Sequence, residues 1–479
     1  MRQALILRRQ GANMVLSNKS PVINLQYSRV LLSVSLLHFL SLPSPLQAET
    51  CDTYDFNQNR ERFSLSPAFH EKNPDEELQY DTMPSQSAIP ANPDSNPCSQ
   101  SDESQGNLEL AINIFSQAAK ETPENFLISP DGLFRSLALI LMGATGETRR
   151  LLQSYLGDNY SESSGATASI ATSFARDEYF IENCLLLSSE LELRETYRER
   201  LKQINADIRD KVDFFDRVFL QNLADELNRL FSQLTHGMVP QFCHVDQWPP
   251  DTTLALINSI YFKGLWERSF NVRNTGVFTL PNNQRVVLEQ FMEEEISSIQ
   301  YTNHNDWEAV TVPYQGAHEM ILVLPPEGIM PHEISPKIIK ALFSSLNSEE
   351  SRPSYSKISL GLPPFKVDSN IELKKFFDRT GLHSLFTNPL ELGTMLSVTL
   401  PVYINVVRQH CAIEVNKDGT RAAAVTHMSF SRSFVESNQR KSIQFSRPFL
   451  YMLHNKITKK IIIIGQLLDP RSTSGAGTH

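Results

Sequence analysis

Apolar and polar positions follow two rhythms along the chain. In "NLELAINIFSQAAKE" (107–121) apolar residues recur every three or four positions, which places them on one face of a helix. The stretch "GLFRSLALILMGA" (132–144) is apolar on nearly every side and reads as a buried helix, opened by Ser129 and Pro130. The runs "LALINSIYF", "AVTVPY", "EMILVLP" and "KISLGLPPF" are short, apolar and bounded by turn residues, so they predict strands, several of them buried on both faces. More strands follow in "VYINVV", "QHCAIEV", "RPFLYML" and "KIIIIGQLL", whereas "SNIELKKFFDRTGL" (369–382) predicts a helix capped by Ser369 and ended by Gly381. Helices and strands alternate without an internal repeat, which makes the body mixed α and β with large sheets.

The pattern changes at the front. Residues 1–48 contain no Asp or Glu and five basic residues, Arg2, Arg8, Arg9, Lys19 and Arg29, followed by "VLLSVSLLHFLSL". This is the layout of a secretory signal peptide, ending near "PLQA" before Glu49. The apolar run is short for a bilayer span, so a secreted, extracellular protein with no membrane segment is expected. A buried N-terminal helix is the alternative.

Charge then sharpens the domain picture. The 479 residues carry a formal net charge of -10. Residues 49–105 hold twelve acidic and three basic side chains, six prolines and few large aliphatics, too little apolar surface to offset the entropy of ordering. They read as an acidic, disordered extension ahead of a globular domain at 106–479. Tyr54 and Tyr80 have acidic flanks that suit tyrosine sulfation and docking on a basic protein surface; a merely solvating tail is the alternative. The acidic balance and the lack of a basic stripe argue against nucleic acid.

Cysteine and motif content narrow the chemistry. Cys51, Cys98, Cys184, Cys243 and Cys411 leave one thiol over if the others pair, and the pairing stays open. No two have zinc-ligand spacing, and GxSxG, HExxH, CxxC, GxGxxG and GxxxxGK are all absent, so neither an enzyme nor a metal or cofactor is expected. Asn159 in "NYS" is the one glycosylation acceptor after the signal.

One tract has no ordinary explanation. "EVNKDGTRAAAVTHMSFSRSF" (414–434) joins two apolar strands but lacks the Pro, Gly, Asn and Asp of a surface loop after Gly419. Every second residue from Thr420, namely Ala422, Ala424, Thr426, Met428 and Phe430, is uncharged, so the tract can serve as a strand with one face buried. A helix started by the alanines is the competing reading, and "VTHMSFS" is poorly suited to continue it.

"NFLISPDGLFRSLALILMGATGETRRLLQSYLG" (125–157), "LALINSIYFKGLWERSFNVRNT" (254–275), "SRPFLYMLHNKITKKIIIIGQLLDP" (446–470) and Thr235 and Gly237 of "LTHGMVPQ" resemble the serpins, the serine-protease-inhibitor family, from about residue 106 to 470. The resemblance implies an α+β fold of three β-sheets and eight or nine helices, with an exposed reactive-centre loop at about 415–444. It implies a suicide substrate of a serine protease, and a monomer. After cleavage the upstream part of the loop would enter the main sheet, with Gly419, Thr420, Ala422, Ala423 and Ala424 as hinge. Ser129, Asn258 and Gln409 match the region where that sheet opens. Family spacing selects Ser433 followed by Phe434 as the reactive bond, and a loop one residue shorter selects Arg432 followed by Ser433. Arg432 is preferred because a guanidinium pairs with the acidic pocket of trypsin-like proteases; Phe430 would suit a chymotrypsin-like one.

The sequence departs from the family pattern at Lys417 (usually glutamate), Leu230 (tryptophan), Gly132 (serine) and Gln409 (histidine). It is loosely similar to the heparin cofactor and antithrombin branches. Residues 158–180, where those relatives carry a basic helix, hold only Arg176 as a basic side chain, so glycosaminoglycan binding is left unassigned. A non-inhibitory member, acting as hormone carrier, chaperone or peptide precursor, is the alternative function.

Overall fold

The computed structural model describes residues 97–472 apart from 157–169, 175–176, 421–439 and the short stretches 205, 236, 238–240, 298, 349–354, 356, 378–379 and 398–399. Three sheets carry the fold, with a separate two-stranded hairpin (Gly276–Thr279 with Arg285–Leu288). Among the described residues there are seven α-helices, of which two matter here: α1 (Pro97–Glu121) and α2 (Pro130–Gly143). The first begins inside the stretch expected to be the end of the acidic extension. The second is buried along its whole length, with Ser129 as its cap: the Ser129 hydroxyl accepts the Gly132 N–H at 3.0 Å.

The main sheet has seven strands: β1 (Ile170–Phe174), β2 (Asp177–Ser188), β3 (Asp207–Val212), β4 (Leu254–Leu265), β5 (Phe365–Glu372), β6 (Ile404–Asn416) and β7 (Gly419–Thr420). Their spatial order is β5-β6-β7-β4-β2-β1, with β3 paired to the other half of β2. A six-stranded antiparallel sheet runs from Phe126–Ile128 at one edge to Tyr301–His304 at the other. The third sheet orders Arg440–Gln444, Lys357–Leu362, Phe291–Ser297 and Asn271–Arg273. Ten of the twelve β4 positions are buried, as its mostly apolar run, interrupted by Asn258 and Ser259, predicts for a central strand. α2 packs against β4, against β2 and against Ile461–Leu467 of the six-stranded sheet, so it fills the space between two sheets.

The helix expected over 369–382 is not there. Its first residues belong to β5, which pairs with β6 from Phe365↔Val415 to Glu372↔Arg408, and only Lys374–Phe377 forms a single 3-10 turn. Along β5 buried and half-buried positions strictly alternate, with Phe365, Val367, Ser369 and Ile371 inward. Ser369 therefore caps nothing; its hydroxyl accepts the Leu127 N–H at 3.0 Å. Eight cross-strand partners outweighed a local helix preference that is worth tenths of a kcal/mol per residue. Conversely, "VYINVV" and "QHCAIEV" are one thirteen-residue strand, β6.

Candidate functional site

The site lies along the seam between β4 and β6. These parallel strands pair directly from Ile404↔Leu254 to Ala412↔Tyr261. Past that point they part, and the chain turns at 416–418 and returns between them as β7. There Val415 pairs with Thr420 and Asn416 with Gly419 on one side, while Gly419 pairs with Leu265 and Thr420 with Gly264 on the other.

Local chemistry explains this entry. Gly419 has φ 150°, and a Cβ added to it would stand 2.1 Å from the Gly264 carbonyl oxygen. Only glycine permits so close a backbone approach. Thr420 is fully buried, with its Oγ1 2.7 Å from the Tyr314 hydroxyl, and Tyr314 stacks on Trp266 at 4.2 Å between ring centroids. The turn is clasped by its carbonyls. Trp266 Nε1 donates to Asn416 O (2.9 Å), Phe270 N to Lys417 O (2.8 Å) and Trp266 N to Asp418 O (3.0 Å). All three carbonyls of the turn are thus satisfied from one short segment.

Lower on the seam, side chains close the sheet. Gln409 Nε2 donates to Asn258 Oδ1 (2.8 Å) and to Ser129 O (2.9 Å), while Gln409 Oε1 accepts the Ser129 N–H (2.6 Å). Asn258 Nδ2 donates to Glu182 O (3.2 Å) and to Asn183 Oδ1 (2.5 Å), and Ser136 Oγ donates to the same Asn183 oxygen (2.6 Å). All these residues are buried, where an amide without partners costs about 1–3 kcal/mol. Gly132 belongs to the same arrangement: a Cβ there would lie 2.3 Å from Asn258 Oδ1, so the glycine makes room for the amide.

The sequence-predicted residues Ser129, Asn258 and Gln409 therefore meet in one network, and Gly419 and Thr420 sit together at its upper end. Ala422, Ala423, Ala424, Phe430, Arg432, Ser433, Phe434 and Asn159 lie outside the described residues. Tyr314, Trp266, Phe270, Asn183 and Ser136 were not foreseen. Thr420 and Tyr314 are 106 positions apart, and nothing local marks that pair.

Burial pushes the thiols of Cys184, Cys243 and Cys411 above their ordinary value, and all three are free. Among the described residues no cluster of three or more His, Cys, Asp or Glu side chains is placed to hold a metal, and no helix is long and apolar enough to cross a membrane.

Residues 105–470 match the model of the family described as "Serpin (serine protease inhibitor)". Human Serpin I2 is 24% identical over 382 residues, covering 76% of this chain and 91% of the relative. Among solved structures, Serpin48, a highly specific serpin of the insect Tenebrio molitor, superposes with a TM-score of 0.65 at 20% identity, covering 77% of this chain and 98% of its own. Human thyroxine-binding globulin does so with a TM-score of 0.65 at 19% identity, covering 78% and 100%.

Proposed function

The chain belongs to the serpin family, and from that premise we propose that it is a secreted, single-use inhibitor of trypsin-like serine proteases, baited by Arg432 and sprung by insertion of residues 420–430 into the main sheet. The observation that carries this reading is the double pairing of β7, which already stands as a strand between β6 and β4.

Continuing that register gives the path of the rest. Ala422 would arrive beside Ile413 and Phe262, Ala424 beside Cys411 and Ile260, Thr426 beside Gln409 and Asn258, and Met428 beside Val407 and Leu256. In the closed seam Gln409 already faces Asn258, and Cys411 already faces Ile260. The two strands therefore need to move apart but not to slide. At the third step the Gln409–Asn258 bond breaks, and the Thr426 hydroxyl, both donor and acceptor, can restore partners to the two amides. About a dozen new ladder bonds at roughly 1 kcal/mol each supply on the order of 10 kcal/mol, comparable with the stability of a domain.

A non-inhibitory carrier is the second reading, suggested by the likeness of fold to thyroxine-binding globulin. A carrier has no need of a charge-free buried face from Thr420 to Phe430, which favours inhibition. Incubation with trypsin-like proteases separates the two: a covalent complex that survives denaturing electrophoresis is expected, and it should disappear for Arg432→Ala. Clean clipping of the loop by every protease, with no complex and no gain in thermal stability, would rule the inhibitor reading out.

A further inference from the structure

A cavity of about 530 Å³ opens beside the clasp, between the turn at 416–418 and the edge strand Asn271–Arg273 of the third sheet. Small organic ligands typically occupy clefts of about 300–1,000 Å³ with an apolar lining and a few polar anchors. Here the apolar lining comes from Phe270, Val272, Met292 and Pro364. Phe270 and Met292 are almost wholly buried and form a rigid floor, so the apolar surface open to a ligand is mainly that of Val272 and Pro364.

The charged lining is one cation and one anion, Lys417 and Asp418, with the Asp418 side chain largely buried. Glu294, two positions along the strand from Met292, is matched by Arg268 at 2.8 Å and by the Asn271 amide at 2.7 Å. Lys417 lines the opening with its side chain about half exposed, and among the described residues its ammonium makes one bond, to Asp418 Oδ1 at 3.1 Å. An ammonium has three donors, so it has capacity for an anionic group on a ligand.

We propose that this cavity binds a small amphipathic carboxylate, an aromatic or medium-chain aliphatic acid, with its body on Val272 and Pro364 over the floor of Phe270 and Met292 and its carboxylate on Lys417. Occupancy holds Gly419–Thr420 inside the main sheet. The coupling is geometric: Phe270 and Lys417 are both walls of the cavity and partners in the clasp, through the Phe270 N–H and the Lys417 carbonyl. A ligand that touches both sides gains its contacts only while the turn is clasped, so it favours that arrangement by linkage. This coupling rests on the hinge reading above; binding itself does not.

Naphthalene-1-acetate titrated calorimetrically into the intact chain tests the site without any protease. One-to-one binding is expected, about tenfold weaker in Lys417→Met and in Val272→Asp, and unchanged in Lys202→Met. The uncharged 2-(1-naphthyl)ethanol should also bind about tenfold more weakly. Absence of saturable heat, or equal binding by the parent, Lys417→Met and Val272→Asp, overturns the site. Saturating probe should slow proteolytic nicking within 421–439 about threefold; an unchanged nicking rate overturns the coupling. Neither readout depends on whether a protease is trapped.

Discussion

The two ends of the β4–β6 seam solve opposite problems with different chemistry. At the upper end the strands are held apart by a guest, Gly419–Thr420, whose bonds are nearly all backbone: two ladders plus the clasp on the turn. Six residues lower, the same strands are held together, and there side chains do the closing through Gln409, Asn258 and Ser129. Past Gly419, where only glycine fits, backbone pairing accepts small uncharged residues, so on the proposed insertion the open end can pass a sequence through. An amide network is specific, so it can be undone only by a residue that replaces its bonds. Easy entry and guarded progress are what a stored but releasable strand requires.

The strongest way to break the contrast is at the guest. Thr420→Arg would bury a guanidinium against Tyr314 at a position with no exposure, a cost of several kcal/mol. The expected outcome is about a tenfold or greater fall in covalent complex per loop cleaved, with the variant consumed as a substrate. Undiminished complex on a denaturing gel would contradict insertion through this entry.

Next comes the closure. Gln409→Leu strips partners from the Ser129 N–H and from Asn258 Oδ1, and should lower urea stability by about 2–4 kcal/mol. A midpoint within error of the parent would mean that the network does not hold the seam shut.

A gentler test returns to the hinge. Tyr314→Phe keeps the ring on Trp266 and removes only the hydroxyl at Thr420, so it should cost about 1 kcal/mol and release the hinge to proteolysis a few times faster. An effect as large as that of Gln409→Leu would erase the distinction between the two ends.

The smallest effect is pH-dependent and sits on the outer flank of β6. Burial pushes the Glu372 carboxyl above its ordinary 4.5, while the Lys374 and Val407 N–H groups that it accepts pull the other way. The native state then holds the proton more tightly than the unfolded chain, an advantage lost as pH rises through the raised native value. Glu372→Gln should thus match the parent below about pH 4, gain melting temperature as pH rises through the raised native value, and keep that gain above it. A gap that does not change between pH 4 and 7 would count against the raised value.

How much of this was legible beforehand varies by element. α2 was, because Ser129, Pro130 and an apolar run on all sides act within one turn of the chain. So was β4, whose apolar residues on both sides of Asn258 and Ser259 admit few other fates. β5 was not: "SNIELKKFF" has local helix signals, and only the Phe365↔Val415 register shows why it is extended. The trio Ser129, Asn258 and Gln409 came from resemblance to a family, since residues 280 positions apart carry no joint local pattern.

By itself the sequence determined which segments can be buried and which cannot be charged: an apolar central strand, a capped buried helix, and a tract from Thr420 to Phe430 fit for one face of a sheet. Tertiary structure alone decided where Gly419 and Thr420 sit, because the gap that admits them is made by Gly264, Val415 and Tyr314, each brought from a different part of the chain. Short-range preferences are written in neighbouring residues, whereas a vacancy between two strands exists only once both have found their partners.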